Sequence, residues 1–384
     1  MDQEHHQQLF SPKEIAMNQP GINSGTARAI CGFVGLILLS SVFTLIVGCG
    51  GEGATRSGQA AHLEPGTEDT VYLPGIADVA FIDSSHAWAI NQKGTVLYEV
   101  RESASPRKQA TKFGSRPLLS FVTPKTGFAF ARRTLWRTRD AGQSWQKVSD
   151  FDQANPNLQL TSLSKLHFVD QQHGWLVDVF GVWRTEDGGA HWQRVFTTAD
   201  SKEADALMQV SFTGSEHAVV AAKLGVYLTV DGGRNWKLTN RNNEFLAVYS
   251  LDERTSWAWG VSLERTDDGG NTWNKLYDLN GRTEIHSTHF INKNEGWAAG
   301  LEVPESLGST VRNPSAPKSK GILLHTKDGG KNWDRTATPV DSAFYRVFFS
   351  DSKHGWLLGF DRLYRTVNGG LTWTTVLETS RSNN

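Results

Sequence analysis

The fold of this chain is decided by a turn motif, seen most clearly in the stretch Arg265-Thr266-Asp267-Asp268-Gly269-Gly270-Asn271-Thr272-Trp273. The stretch contains the pattern Thr-x-Asp-Gly-Gly-x-x-Trp, and the 384-residue chain carries six copies of that pattern. The Asp position recurs at spacings of 47, 44, 37, 60 and 40 residues. A repeat of this length in β-like sequence predicts a propeller or a solenoid.

Each copy of the turn motif supplies a Thr, an Asp or Asn, a Gly and a Trp at fixed spacing. The copies are Thr138, Asp140, Gly142, Trp145; Thr185, Asp187, Gly189, Trp192; Thr229, Asp231, Gly233, Trp236; Thr266, Asp268, Gly270, Trp273; Thr326, Asp328, Gly330, Trp333; and Thr366, Asn368, Gly370, Trp373. Ala141 replaces the first Gly of the earliest copy. Glycines provide the positive φ of a tight turn, and the carboxylate can accept backbone hydrogen bonds. These residues are therefore predicted to hold turns and not to catalyse.

A second motif, centred on Gly-Trp, precedes each turn motif in the sequence, and an apolar run precedes this second motif. Its seven copies are His86-Ala87-Trp88, Thr126-Gly127-Phe128, His173-Gly174-Trp175, His217-Ala218-Val219, Ser256-Trp257-Ala258, Glu295-Gly296-Trp297 and His354-Gly355-Trp356. The first unit lacks the Asp turn motif. Seven units of about 44 residues predict an all-β, seven-bladed propeller of four-stranded antiparallel blades over 71–384. Two closures of the ring stay open: an outer strand at 70–73 added to the last blade, or completion of that blade by 373–376 alone.

Together the two motifs resemble the photosystem II assembly/stability-factor-like family of BNR or Asp-box repeat propellers. The resemblance extends over nearly all of the chain after residue 70, and 295–300 carries the Gly-Trp-Ala-x-Gly pattern. It implies a protein-binding propeller with an arginine-rich surface. Asp boxes also occur in sialidases, other glycosidases and sortilin-type receptors, so the boxes alone do not define a function.

The composition limits the possible functions. Lys and Arg number 39 against 40 Asp and Glu, which does not favour nucleic-acid binding. Cys31 and Cys49 both precede the propeller, so no disulfide, thiolate metal site or cysteine nucleophile is expected within it. Four histidines share one repeat position: His86, His173, His217 and His354. Because a ring separates them, we predict no metal site, and we predict no cofactor.

The first 70 residues predict export and a membrane tether. Residues 1–49 form a leader whose segment 29–48 is apolar, and Ile46-Val47-Gly48-Cys49 resembles a bacterial lipobox. Lipidation at Cys49 would place the propeller on the periplasmic or extracytoplasmic face, followed by a flexible linker over 50–70. The alternative is an uncleaved membrane helix.

Loop positions suggest a docking surface. Strand direction alternates within a blade, so the Gly-Trp turns and Asp boxes lie on one face of the ring. The opposite face is predicted to carry a partner-binding patch of Arg116, Arg132, Arg133 and Arg362, with an ordinary solvated surface as the alternative. We expect 101–116 to connect the first two blades and to add Arg101, Arg107, Lys108 and Lys112. The insertion at 301–320 is either a mobile decoration or a partner-binding flap.

The sequence does not favour an enzyme. Asp-box sialidases usually show Arg-Ile-Pro, whereas this chain has Arg116-Pro117-Leu118. We therefore predict a non-catalytic, exported, membrane-tethered and monomeric scaffold that binds protein partners and acts as an assembly or stability factor of a photosystem II-like membrane complex. The alternatives are a sialidase-like glycosidase and a binding module for surface or stress functions.

Overall fold

A computed structural model describes residues 75–102, 104–151, 158, 160, 164–197, 207–222, 224–241, 245–278, 283–302 and 320–379. These described residues form 28 strands in seven four-stranded sheets. In every sheet the four strands are antiparallel and follow one another in chain order. The predicted seven-bladed propeller is therefore confirmed.

The first three blades contain strands β1 to β12. Blade 1 has β1 Ile76–Phe81, β2 His86–Asn91, β3 Val96–Arg101 and β4 Ala104–Ala110; blade 2 has β5 Leu118–Phe121, β6 Gly127–Ala131, β7 Thr134–Thr138 and β8 Gln146–Asp150; blade 3 has β9 Lys165–Phe168, β10 Gly174–Val177, β11 Gly181–Thr185 and β12 Gln193–Thr197.

The last four blades contain β13 to β28. Blade 4 has β13 Leu207–Phe212, β14 Ala218–Ala222, β15 Gly225–Thr229 and β16 Lys237–Asn240; blade 5 has β17 Phe245–Ser250, β18 Ser256–Gly260, β19 Ser262–Thr266 and β20 Asn274–Asp278; blade 6 has β21 Thr283–Phe290, β22 Gly296–Glu302, β23 Lys320–Thr326 and β24 Asp334–Arg335; blade 7 has β25 Arg346–Phe349, β26 Gly355–Leu358, β27 Arg362–Thr366 and β28 Thr374–Glu378.

Burial changes with position in the blade. All five residues of β6 and of β14, each the second strand of its blade, are buried. The outer strand β8 has no buried residue. Second strands are covered on both sides because neighbouring blades pack face to face, whereas outer strands pair along one edge and meet solvent. The core is therefore a ring of interfaces between blades.

Aromatic stacking between blades explains why the Gly-Trp motif and the apolar run before it occur together. The Trp257 ring of blade 5 lies on Phe290 of blade 6, with centroids 3.6 Å apart, and Trp297 lies on Phe349 of blade 7 at 3.7 Å. A Cβ on Gly296 would lie 2.3 Å from the Phe290 ring. The Gly therefore makes room for the Phe of its own blade, and the aromatic of the preceding blade covers that Phe.

The ring closes between blades 7 and 1. Strand β28 pairs with β27 and completes blade 7 from the carboxyl-terminal side, while 70–73 lies outside the described residues. The Trp356 Nε1–H donates to Asp83 O at 2.9 Å, and the Arg365 Nε–H donates to Ser84 O at 2.8 Å. The Ile76 N–H donates to Phe360 O at 3.3 Å. Side chains of blade 7 thus bond to the first turn of blade 1.

The expected connection at 101–116 is wrong in part. Ala104–Ala110 forms β4, the outer strand of blade 1, so Arg107 and Lys108 lie on a strand. Arg101 and Arg107 both pair with Glu99, at 2.6 and 2.7 Å. Strand β4 is mostly exposed, so its sequence is polar and shows no apolar alternation that would predict a strand.

Several sequence predictions fall on other parts of the chain. The leader with its apolar segment 29–48, Cys49 and the linker lie outside the described residues, as does 303–319 of the insertion. At the ends of the predicted insertion, Leu301 and Glu302 belong to β22 and Lys320 begins β23. Within the described ranges, no helix is long and apolar enough to span a bilayer.

Candidate functional site

The Asp boxes are built as hydrogen-bonded turns. Thr266 Oγ1 donates to Asp268 Oδ1 at 2.8 Å and accepts the Gly270 N–H at 2.9 Å. Thr272 donates its backbone N–H to Asp268 Oδ1 at 2.9 Å and its hydroxyl to Oδ2 at 2.7 Å. These two bonds lower the pKa of Asp268 to about 2. The same Thr-to-Asp bond recurs in five boxes and the corresponding Thr366-to-Asn368 bond in the sixth, which gives the box residues a structural role.

Each box turn touches the Gly-Trp turn of its own blade. The Gly269 N–H donates to Arg254 O at 2.9 Å, and the Gly329 N–H donates to Asn294 O at 2.7 Å. The two kinds of turn therefore share one side of the propeller, which we call the box face. The side formed by the turns between second and third strands and by the connections between blades is called the arginine face.

Three of the four repeated histidines, His173, His217 and His354, are bonded within their own turns, whereas His86 contacts Glu99 on strand β3. His173 Nδ1 lies 2.8 Å from Asp170 Oδ2, and His354 Nδ1 lies 2.9 Å from Asp351 Oδ2. In the part of the chain that the structure describes, no group of three His, Cys, Asp or Glu side chains could hold a metal ion.

Three of the four predicted arginines have an unusual backbone. Of the described non-glycine residues, four have positive φ: Arg116 at 54°, Arg132 at 47°, Arg133 at 62° and Ala141 at 61°. Ala141 replaces a box glycine, which accounts for its φ. Left-handed backbone is uncommon for an arginine, and such strain concentrates at functional sites. Arg132 and Arg133 form the two-residue turn between β6 and β7, and such a hairpin turn needs positive φ at both positions.

Arg116 and Arg132 lie on neighbouring loops of the arginine face. The Arg116 N–H donates to Gln92 O at 2.8 Å. The Arg132 side chain crosses Gly114, where a Cβ would lie 2.2 Å from Arg132 Nε. Gly114, with φ 94°, thereby allows Arg132 to lie over the loop that ends at Arg116. Both side chains are exposed, and among the described residues neither has an ion-pair or hydrogen-bond partner.

The other two predicted arginines have partners. Arg133 Nη1–H donates to Leu158 O at 2.8 Å and so holds the connection from blade 2 to blade 3. Arg362 pairs with Glu378 at 2.6 Å on blade 7. The structure therefore brings Arg116 and Arg132 together as unneutralised cations, whereas Arg133 and Arg362 are engaged elsewhere.

The central channel holds a polar cluster that the sequence analysis did not identify. Arg346 pairs with Asp78 at 2.7 Å, and Lys165 Nζ donates to Val210 O at 3.4 Å. Burial, followed by the Arg346 charge, lowers the pKa of Lys165 to about 8. Burial also lowers the pKa of His289 to about 4. The sequence signal for this cluster is a polar residue within first strands that are otherwise apolar. That signal becomes visible only when the first strands of the blades are aligned with one another.

The chain matches the family model described as photosynthesis system II assembly factor YCF48 over residues 158–246. No curated protein matches it by sequence. This match confirms, over these residues, the predicted resemblance to the photosystem II assembly-factor-like family of BNR propellers.

Solved structures share the fold. The structure of YCF48 bound to D1 peptide is 19% identical with a TM-score of 0.56, covering 77% of this chain and 93% of that one. YCF48 from Cyanidioschyzon merolae is 17% identical with a TM-score of 0.56, covering 77% and 95%. The GH74 enzyme of Niastella koreensis is 10% identical with a TM-score of 0.59, covering 80% of this chain and 54% of that enzyme. At such identities the structures show the shared fold.

Proposed function

We propose that this chain is an exported, membrane-tethered and non-catalytic propeller that binds a carboxylate-bearing protein segment through Arg116 and Arg132. It acts as an assembly or stability factor for a membrane complex. The observation that carries the proposal is the pair of exposed, unneutralised guanidinium groups held on left-handed backbone. A related propeller, YCF48, binds a D1 peptide, which supports peptide capture by this fold.

Arginine suits this role because its planar fork can bind a carboxylate through two parallel hydrogen bonds. A single exposed ion pair contributes only about 0–1 kcal/mol, so the two arginines must act together with other contacts of the partner. Salt should therefore weaken the interaction.

A glycosidase is the alternative, and the channel argues against it. A retaining glycosidase needs two carboxyl groups about 5 Å apart. Asp78 and Glu284 are the carboxylates of the described first strands. Asp78 is bonded to Arg346 and to the backbone N–H groups of Val79 and Leu119, so both of its oxygens are engaged in holding the fold.

The binding proposal is tested by charge reversal. The double variant Arg116→Glu/Arg132→Glu should fold and lose the partners that the wild-type chain captures from native membranes at low salt. The control Arg254→Glu/Lys331→Glu makes the same charge change at exposed residues of the box face and should keep those partners. Equal capture by both double variants would rule out the arginine face.

The proposed tether depends on Cys49 and the apolar segment 29–48. Metabolic labelling with a palmitate analogue should tag the wild-type chain and leave Cys49→Ser unlabelled. A mature protein that retains residues 1–48 would instead have a membrane helix.

A further inference from the structure

An arginine precedes the box Thr in four blades. These residues are Arg137, Arg184, Arg265 and Arg365. Three of the four guanidinium groups are paired with carboxylates of the chain itself: Arg184 with Glu186 and Glu216, both at 2.6 Å, Arg265 with Asp267 at 2.6 Å, and Arg365 with Glu102 at 2.7 Å. A carboxylate beside this arginine is thus the common arrangement of the box face.

Blade 2 departs from that arrangement. Arg139 occupies the position of Glu186, and Gln172 occupies the position of Glu216, so both acidic partners of Arg184 are absent around Arg137. Among the described residues Arg137 and Arg139 have no ion pair and no side-chain hydrogen bond. The Nε of Arg137 is buried without an acceptor, as in Arg184 and Arg265, but those two arginines hold carboxylates through their Nη atoms.

A cavity of about 90 Å³ lies at these two arginines. Its lining consists of Arg137, Arg139, Asp140, Ser144 and Gln146. The volume admits a carboxylate group, since one water occupies about 30 Å³ in the liquid. We call it the Arg137 pocket.

Asp140 does not neutralise the Arg137 pocket. Its carboxylate accepts the Thr138 hydroxyl at 2.8 Å, the Ser144 N–H at 2.9 Å and the Ser144 hydroxyl at 2.5 Å. It forms no ion pair with either arginine. Two cations therefore face one anion whose oxygens are already bonded, and the pocket keeps a positive charge.

We propose that the Arg137 pocket is an anion site that accepts the carboxylate of an Asp or Glu side chain of a protein partner. The blades themselves indicate the ligand, because Glu186 and Asp267 supply a side-chain carboxylate to the equivalent arginine. The donor fork of Arg137, with Arg139 beside it, is suited to bind one carboxylate. The pocket lies on the box face and is independent of the Arg116–Arg132 proposal.

The first test follows the arginine Nε–H resonances of the full chain by NMR. Titration with the peptide Ac-Gly-Glu-Gly-NH2 at constant ionic strength should shift the Arg137 and Arg139 signals to saturation, whereas Ac-Gly-Gln-Gly-NH2 should not. Arg137→Lys and Arg139→Gln assign the signals. Inorganic phosphate and acetate are titrated in parallel. Phosphate that binds tenfold more tightly than the Glu peptide, or the absence of a saturable shift, would overturn the assignment to an acidic side chain.

The second test rebuilds the arrangement of blade 3 in blade 2. Arg139→Glu should place a carboxylate beside Arg137, raise the melting temperature and abolish the response to the Glu peptide. Arg139→Gln removes the same cation without adding a carboxylate and should not raise the melting temperature. A peptide response of Arg139→Glu equal to wild type would contradict the proposal. Arg116→Glu/Arg132→Glu should keep the response, so the two binding proposals can fail separately.

Discussion

Arg346 and Asp78 form a 2.7 Å ion pair that joins the last blade to the first. The same carboxylate accepts the Val79 and Leu119 N–H groups, each at 2.8 Å, so it links blades 7, 1 and 2. The Asp78 side chain is 2% exposed, whereas that of Arg346 is 34% exposed. The closure of the ring therefore depends on a buried carboxylate in blade 1, Asp78, which is neutralised by Arg346 from blade 7.

Removal of Arg346 should destabilise the propeller strongly. Arg346→Met breaks the ion pair of the buried Asp78, and loss of one partner of a buried pair costs up to about 3–5 kcal/mol. Arg335→Met is the matched control, because Arg335 pairs with Glu302 at 2.8 Å on the surface, where pairs contribute about 0–1 kcal/mol. Urea unfolding of both variants measures the difference, and equal losses would show that the closing pair has no special role.

The box hydroxyl should matter more than the exposed hydroxyl beside it. Thr266→Val removes the acceptor of the buried Gly270 N–H, and an unsatisfied buried donor costs about 1–3 kcal/mol. Thr272→Val removes an exposed hydroxyl but keeps the backbone bond to Asp268, so its loss should be clearly smaller. Denaturant unfolding decides the order; a larger loss for Thr272→Val would contradict this description of the turn.

The fold was predictable because its signals are local. A turn motif such as Asp268-Gly269-Gly270 specifies its own backbone, and repeated turns fix the number of blades. Contacts between blades are not local, so the covering of Phe290 by Trp257 could not be derived from spacing. Strand β4 was missed because an exposed outer strand needs no apolar alternation.

For the candidate site, strand topology predicted only the face of the propeller on which each loop lies. Alternating strand direction places Arg116 and Arg132 on the face opposite the boxes. Strand direction gives no information on the hydrogen bonds or ion pairs of a side chain. The bond from Arg133 to Leu158 O and the ion pair of Arg362 with Glu378 are therefore known only from the structure.

The box carboxylates should make stability fall in acid. The pKa of Asp268 is lowered to about 2, so its stabilisation is present above its ordinary pKa near 4 and is lost as pH falls towards 2. Asp268→Asn cannot ionise, and Asn368 already occupies the equivalent position in blade 7. The wild-type advantage in melting temperature over Asp268→Asn should therefore be largest at neutral pH and should narrow between pH 4 and 2. A difference in melting temperature that stays constant between pH 4 and 2 would contradict the lowered pKa of Asp268.

A channel histidine should add a second acid-sensitive range. Burial lowers the pKa of His289 to about 4, so the unfolded chain takes up this proton at higher pH than the folded chain. Stability from the neutral ring is complete above about pH 6.5 and declines as pH falls to about 4. His289→Phe copies Phe348, the equivalent residue of blade 7, and should flatten the melting-temperature curve over that interval. Burial also lowers the pKa of His167 to about 3, so His167 should preserve part of the dependence of melting temperature on pH in this variant. Parallel curves for wild type and variant would contradict the prediction.

The left-handed backbone of Arg132 should oppose stability and serve binding. A non-glycine residue at φ 47° carries strain that glycine avoids, so Arg132→Gly should keep or raise the free energy of unfolding, by up to about 1 kcal/mol. Lys108→Gly is the control, since Lys108 is exposed on strand β4, where glycine costs about 0.5–1 kcal/mol.

If Arg132 binds the partner, Arg132→Gly should nevertheless reduce capture from membranes while Lys108→Gly retains it. Urea unfolding and quantitative capture on the same preparations separate the two effects. A variant Arg132→Gly that loses as much stability as Lys108→Gly, or that captures the partner as well as wild type, would remove the link between the strained loop and binding.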